Sequence, residues 1–282
     1  MAVYVTVVLL TMLLLITAVF FTTSSSAKAQ IKTAINIKQA YEAGNSKAAE
    51  IYDSVVNNMK PEYVSDGLIL HYDAINNTGS GHDNTTTTWK DLSGNGNDLM
   101  LSNFNNTSSS GWNENSLVFD GIDDFGTIST IAGLLQDNIT IQTRVYSQQY
   151  NNYRGIYGNH MGTSYGVSGI LAQYQDGLMR IGYNGNIVDL DYSLVTNKDV
   201  TLTVLMGTSF GTKVYINGEL AGELHVDSNK IQPATDFWIG KSFNTIDRYF
   251  LGKMNNFIIY DRILTDDEIQ QNYKADLSNY QS

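Results

Sequence analysis

The sequence contains no cysteine and only two prolines in 282 residues. The first absence excludes disulfides, zinc–thiolate centres and cysteine nucleophiles, so stability has to come from burial. The second, against 24 glycines, assigns the tight turns to Gly and Asn, as in Asn76-Asn77, Asn105-Asn106 and Asn151-Asn152. Basic residues are also scarce. Seventeen Lys and Arg face 28 Asp and Glu, giving a formal charge of -11 and a pI of about 4.6. A chain this acidic argues against nucleic acid or anionic lipid as the main partner.

Signatures of catalysis are scarce as well. The chain has no Walker-type phosphate loop and no Glu-x-Asp-x-Glu alternation. That last pattern is how glycosidases with a β-sheet scaffold set carboxylates about 5–9.5 Å apart. His71, His82, His160 and His225 are scattered without zinc spacing. The expectation is a protein that is not an enzyme, with no catalytic residues.

What is present begins with an uncharged apolar run, Val3 to Phe21, with no basic residue before Lys28. Its length matches the ~20 residues that cross ~30 Å of hydrocarbon, and its flanks differ from those of a secretory signal peptide. Thr22 to Ser26 contains no Gly or Pro, so the pattern predicts one helix running from lipid into water. Ala27, Ile31, Ala34, Ile35, Ile37, Ala40, Tyr41, Ala48, Ile51, Tyr52 and Val55 then recur mostly at three- and four-residue spacings. Gly44-Asn45 predicts a kink, and Pro61 marks the end. The expected domains are therefore a hydrophobic N-terminal helix over 1–60 and an all-β head over 61–282.

From Gly67 onward the period changes to two. Runs such as LILHYDA, SLVFDG, NITIQTRVY, GLMRIGY, VTLTVLM, DFWIG and FIIYDR alternate with Gly/Asn/Asp turns. In one run, Ile139, Ile141, Thr143 and Val145 alternate with Thr140, Gln142 and Arg144, which predicts a strand with one buried and one wet face. Asn217-Gly218 between two β runs predicts a hairpin. Many short strands of this kind favour an antiparallel sandwich or jelly roll. Thr265-Asp266-Asp267-Glu268 is a capping box that opens a short helix near 265–275.

The strings GLILHYDA, TTWKDLSGNGNDLML, SLVFDGIDDFGTIS, KVYINGELAGEL, FWIGKS and FLGKMNNFIIYDRILTDDEIQQNY resemble laminin-G-like, concanavalin A-like jelly-roll domains of surface proteins. The resemblance spans nearly all of residues 66–276. It implies two curved antiparallel sheets that bind sugars or proteins, often with calcium. The apolar-then-striped helix ahead of a β-rich head resembles a mature type IV pilin or related archaeal filament subunit. That resemblance implies assembly through Val3, Val7, Leu10, Leu14, Phe21, Ile31 and Ile35, in a bundle that replaces lipid contact. Bacterial pilins commonly carry glutamate at the fifth mature position, where this chain has Val5. The departure points to an archaeal-type subunit, a specialised pilin or a membrane protein that does not polymerise.

Two patches in the head are candidate sites. Asp120, Asp123 and Asp124 in FDGIDDF offer hard oxygen ligands for calcium, or simply accept turn hydrogen bonds. Tyr150, Tyr153 and Arg154 in QQYNNYRGIYGNH combine rings and donors suited to sugar or surface-protein recognition, while Tyr157 in RGIYG and the three tryptophans, Trp89, Trp112 and Trp238, read as core. Sequons at Asn76, Asn84, Asn105 and Asn106 mark loop positions for glycosylation, although an Asn- and Thr-rich chain forms such triplets by chance. The functional expectation is a structural subunit of a pilus-like extracellular filament displaying a lectin-like head for adhesion. Its partners are copies of itself, the membrane before assembly, and a glycan or surface protein. The alternative is a single-pass, membrane-anchored binding protein that never polymerises.

Overall fold

The chain divides into two units, Met1–Lys60 and Pro61–Ser282. The computed structural model describes residues 60–129, 135, 138–148, 153–159, 169–183, 185–225, 236–243 and 247–280. The expected N-terminal helix, with Val3, Val7, Leu10, Leu14, Phe21, Ile31 and Ile35, lies outside the described residues, as does Tyr150. No helix among the described residues is long and apolar enough to cross a membrane.

The second unit is an antiparallel β-sandwich. It begins with β1 (Leu68–Asp73), β2 (Thr88–Trp89), β3 (Leu99–Ser102) and β4 (Gly111–Asn113). It continues through β5 (Ser116–Asp120), β6 (Phe125–Ile128), β7 (Asn138–Ser147) and β8 (Arg154–Gly158). β9 (Ile170–Gln175), β10 (Leu178–Tyr183), β11 (Asn186–Asp191) and β12 (Asp199–Gly207) follow. The last strands are β13 (Gly211–Ile216), β14 (Glu219–Leu224), β15 (Phe237–Ile239) and β16 (Leu251–Tyr260), before a closing helix α1 (Asp266–Tyr280).

One sheet runs β14-β13-β12-β7-β16-β5-β4, and the other runs β11-β10-β9-β8-β15-β6-β3-β2. In the first, β5 pairs with the start of β16 and β1 with its end, so two short strands share one long edge. Asn217 and Gly218 take φ values of 54° and 81° between the paired Ile216 and Glu219, the left-handed pair that a two-residue hairpin requires.

The inner faces of the two sheets form the main core. Ile139, Ile141 and Val145 of β7 meet Ile170, Ala172 and Tyr174 of β9, together with Trp89, Trp112, Tyr157 and Phe257. Trp89 packs edge-on to Trp112 at 5.1 Å and stacked on Tyr72 at 5.4 Å. Each fully buried ring of this size contributes roughly 1.5–3 kcal/mol, which answers the lack of cross-links.

β7 departs from the sequence expectation. Its second face is also buried, with Thr140 and Gln142 at 0% and Arg144 at 7% exposure. The cause is α1, which with Tyr63 and Val64 covers the outside of the first sheet and builds a second apolar cluster of Leu205, Tyr215, Ile258, Tyr260, Leu264 and Ile269. The polar residues beneath it are paired. Asp276 accepts from Tyr63 Oη at 2.7 Å, Asn256 Nδ2 at 2.6 Å, Gln142 Nε2 at 3.3 Å and the Thr201 hydroxyl. Burial pushes the Asp276 carboxyl up, and these hydrogen bonds, with the Arg144 charge, pull it back. The helix starts at the expected capping box, with Thr265 N–H donating to Glu268 Oε2 at 2.9 Å and Glu268 N–H to Thr265 Oγ1 at 3.3 Å. It runs to Tyr280, past the expected end near 275, because Tyr280 is buried and its hydroxyl donates to Asp73 at 2.8 Å.

Candidate functional site

The outside of the second sheet is built differently. In β6, Ile128 points into the core, which leaves Phe125 and Thr127 on the opposite face, both half-exposed. In β15, Phe237 and Ile239 point inward and Trp238 takes the outer side, buried yet part of neither apolar cluster. The chain then turns back over this face, and Lys241 pairs with Tyr249 as a short antiparallel bridge. Two glycines of β8 permit the close approach. A Cβ on Gly155 would lie 2.3 Å from Ser242 N, and one on Gly158 would lie 2.7 Å from Ser242 O. Gly155 N–H donates to Arg248 O at 2.9 Å, which fixes the returning segment.

Two cations rest on rings along this segment. The Lys241 ammonium stands 4.2 Å from the Phe125 ring centre and 5.0 Å from that of Trp238. Tyr249 lies tilted against Phe125 at 6.3 Å. The Arg248 guanidinium contacts two rings, 4.2 Å from the centre of Tyr153 and 4.6 Å from that of Phe243. Each such contact is worth about 0.5–2 kcal/mol, more as water is excluded. Arg248 Nη1 donates to Gln173 Oε1 at 2.9 Å, an oxygen that also accepts from Ser242 Oγ at 3.1 Å. Gln173 Nε2 passes the chain to Gln175 Oε1 at 3.0 Å, and Gln175 Nε2 reaches Tyr153 Oη at 3.3 Å and Asp176 at 3.2 Å. Burial lowers the Lys241 ammonium, opposed by Asp247 and Asp236, while burial raises the Tyr249 phenol, reinforced by Asp247.

The acidic turn adjoins this face. Asp120, Asp123 and Asp124 bring ligand oxygens within 4.8 Å of one another. Asp124 is fully buried, and each of its oxygens already accepts a hydrogen bond: Oδ1 from Ser110 Oγ and Oδ2 from Asp120 N–H, both at 2.9 Å. Burial pushes its carboxyl up to about 6 against those two bonds, with the Asp120 and Asp123 charges adding to the rise. Asp120 Oδ1 accepts Ile122 N–H at 2.8 Å across Gly121, which sits at φ 74°. Asp120 and Asp123 are half-buried, so they suit a hard divalent cation as direct ligands, with Asp124 bracing the turn beneath them.

Of the aromatic candidates, Tyr153 lies at the open edge of the face, 38% exposed. Arg154 turns the other way. Its Nη1 donates to the Gly121 carbonyl and, at 3.2 Å, to the Tyr249 carbonyl, joining the acidic turn to the returning segment. Tyr157 is core. Asn84, Asn105 and Asn106 are exposed, and Asn76 is half-buried with its Oδ1 accepting Gly81 N–H at 2.7 Å. Sequence reasoning missed Phe125, Lys241, Arg248, Gln173 and Gln175. The glutamines carry a signal, since they alternate with the core residues Ala172 and Tyr174, whereas Lys241 and Arg248 come from a segment with no periodicity at all.

A family model described as the concanavalin A-like lectin/glucanases superfamily, of the laminin-G type, matches residues 120–270, just over half of the chain. Comparison with curated protein sequences finds no match. Among solved structures, the receptor-binding domain of botulinum neurotoxin C/D mosaic serotype is similar, with TM-score 0.55 and 17% identity over 76% of this chain and 52% of that one. So is the ligand-binding domain of serotype D, solved in complex with N-acetylneuraminic acid, with TM-score 0.56, 17% identity and the same coverage. A Trypanosoma rangeli sialidase mutant with trans-sialidase activity gives TM-score 0.54 and 14% identity over 77% of this chain and 34% of that one. The chain thus spans about half the length of the neurotoxin domains and about a third of the sialidase, and at these identities the likeness is one of fold.

Proposed function

Because the chain belongs to the concanavalin A-like lectin/glucanases superfamily, we propose that its sandwich is a glycan-binding head, displayed at the cell surface on a filament built from its N-terminal segment. The carrying observation is the outer face of the second sheet. There Phe125, Tyr153 and Tyr249 offer rings to the faces of sugars, above a buried hydrogen-bonded layer that contains Gln173 and Gln175. Rings that stack on the apolar faces of sugars are a usual means of holding such a well-hydrated ligand. A fold neighbour solved with N-acetylneuraminic acid supports a sugar over a protein as the ligand.

The filament rests on the sequence alone, on the uncharged run Val3 to Phe21 and the apolar stripe through Ile31 and Ile35. Packing of those stripes against one another buries surface worth ~25 cal/mol per Å². Calcium at Asp120 and Asp123 would neutralise the charge crowded at the turn and stiffen it, without taking part in any reaction. The head binds and does not cleave.

Two experiments test this proposal. The full chain, applied to a glycan array, is expected to bind a restricted set of sugars without hydrolysing them; binding to none, or release of cleaved products, overturns the glycan assignment. Electron micrographs of material sheared from cells are expected to show filaments containing the chain. Vesicle-bound monomers alone would favour a single-pass anchored binding protein.

A further inference from the structure

We infer that Arg248 is a receptor for the carboxylate of an acidic sugar, so that the proposed glycan face selects uronic- or sialic-acid-bearing ligands; this rests on the glycan assignment above. Three observations carry it. The guanidinium carbon stands 4.2 Å from the Tyr153 ring centre and 4.6 Å from that of Phe243, so two rings hold the group in place. Among the described residues it makes no ion pair, and its single protein hydrogen bond there runs from Nη1 to the neutral Gln173; its Nε is buried without a partner, so recognition falls to the two terminal nitrogens. Elsewhere, Arg180 and Arg262 each pair with carboxylates of the chain itself.

A planar fork whose rotamer is fixed by rings loses little entropy on binding and matches a carboxylate at two points, which a lysine cannot do. The exposed Tyr153 flanks it, its hydroxyl held by Gln175 Nε2 at 3.3 Å, and supplies a ring for the rest of a sugar. Lys241, also without a carboxylate within ion-pair distance among the described residues, adds positive charge on the same returning segment. In a chain of net charge -11, two unpaired cations on one face stand against the general repulsion of acidic ligands.

The test uses the full chain in detergent and a panel of uronic-acid and sialic-acid oligosaccharides, each paired with its methyl ester. The wild type is expected to bind the best acid at least tenfold more tightly than its ester. Arg248→Gln is expected to bring that ratio near one while leaving ester binding in place. Arg248→Lys, which keeps the charge without the fork, should lower the ratio about threefold and serves as the measure if Arg248→Gln does not fold. Equal binding of acid and ester by the wild type, or a ratio unchanged in both variants, overturns the inference and leaves the glycan assignment standing. Binding to no member of the panel and to no neutral glycan overturns both.

Discussion

The two outer faces of the sandwich bury comparable polar side chains and use them in opposite ways. Beneath α1, Gln142, Thr201, Asn256 and Tyr63 all converge on Asp276, so donors and acceptor answer one another in a sealed layer. Across the second sheet, Lys241 and Arg248 rest on rings with no carboxylate within ion-pair distance among the described residues, and Tyr153 stays open to solvent. A polar group satisfied inside the fold supports the fold, whereas one held rigid and unsatisfied is free to bind. The contrast separates scaffold from site.

The strongest test of that contrast is to break the sealed layer. Asp276→Ala strands at least three buried donors, and equilibrium urea unfolding should show a loss of about 3 kcal/mol. Next comes the acidic turn. The Asp124 carboxyl titrates near 6, above its ordinary value of 3.8, so the stability tied to its protonated form is complete below the ordinary value and is lost as pH rises through 6. Melting curves from pH 4 to 7 should show a decline on the order of 2 kcal/mol that Asp124→Asn removes. Calcium should reduce the decline, and Asp123→Asn should cancel the calcium effect.

Phe125→Ala sharpens the comparison from the other side. The ring lies outside both apolar clusters, so unfolding should change by less than about 1 kcal/mol. Glycan binding, measured by calorimetry on an array hit, should weaken about tenfold, or about 1.4 kcal/mol. The smallest effect is expected at the helix cap, where Thr265→Ala costs about 1 kcal/mol of stability and leaves binding untouched.

Local rules made much of the fold readable before the structure. The Asn217-Gly218 hairpin and the Thr265–Glu268 capping box depend on residues one to three positions apart, and both formed as expected. Thr140, Gln142 and Arg144 showed the limit. Their alternation reads as a wet face, and what buries them is a helix more than 120 residues further on, with no imprint on the β7 period. The site was legible only at its edges. Tyr153 and the three aspartates stood out in sequence, whereas Arg248 and Lys241 acquire meaning from a return across Gly155 and Gly158 that composition does not encode.

The most direct measurement of the central claim compares two surface substitutions against one glycan from the array, with melting temperature followed in parallel. Phe125 lies on the open face and Lys274 on the exposed side of α1. The account predicts that Phe125→Ala weakens binding about tenfold while Lys274→Ala leaves it unchanged, with both proteins melting within a few degrees of the wild type. Undiminished binding in Phe125→Ala together with a loss in Lys274→Ala would contradict it, and would move the recognition surface to the helical side.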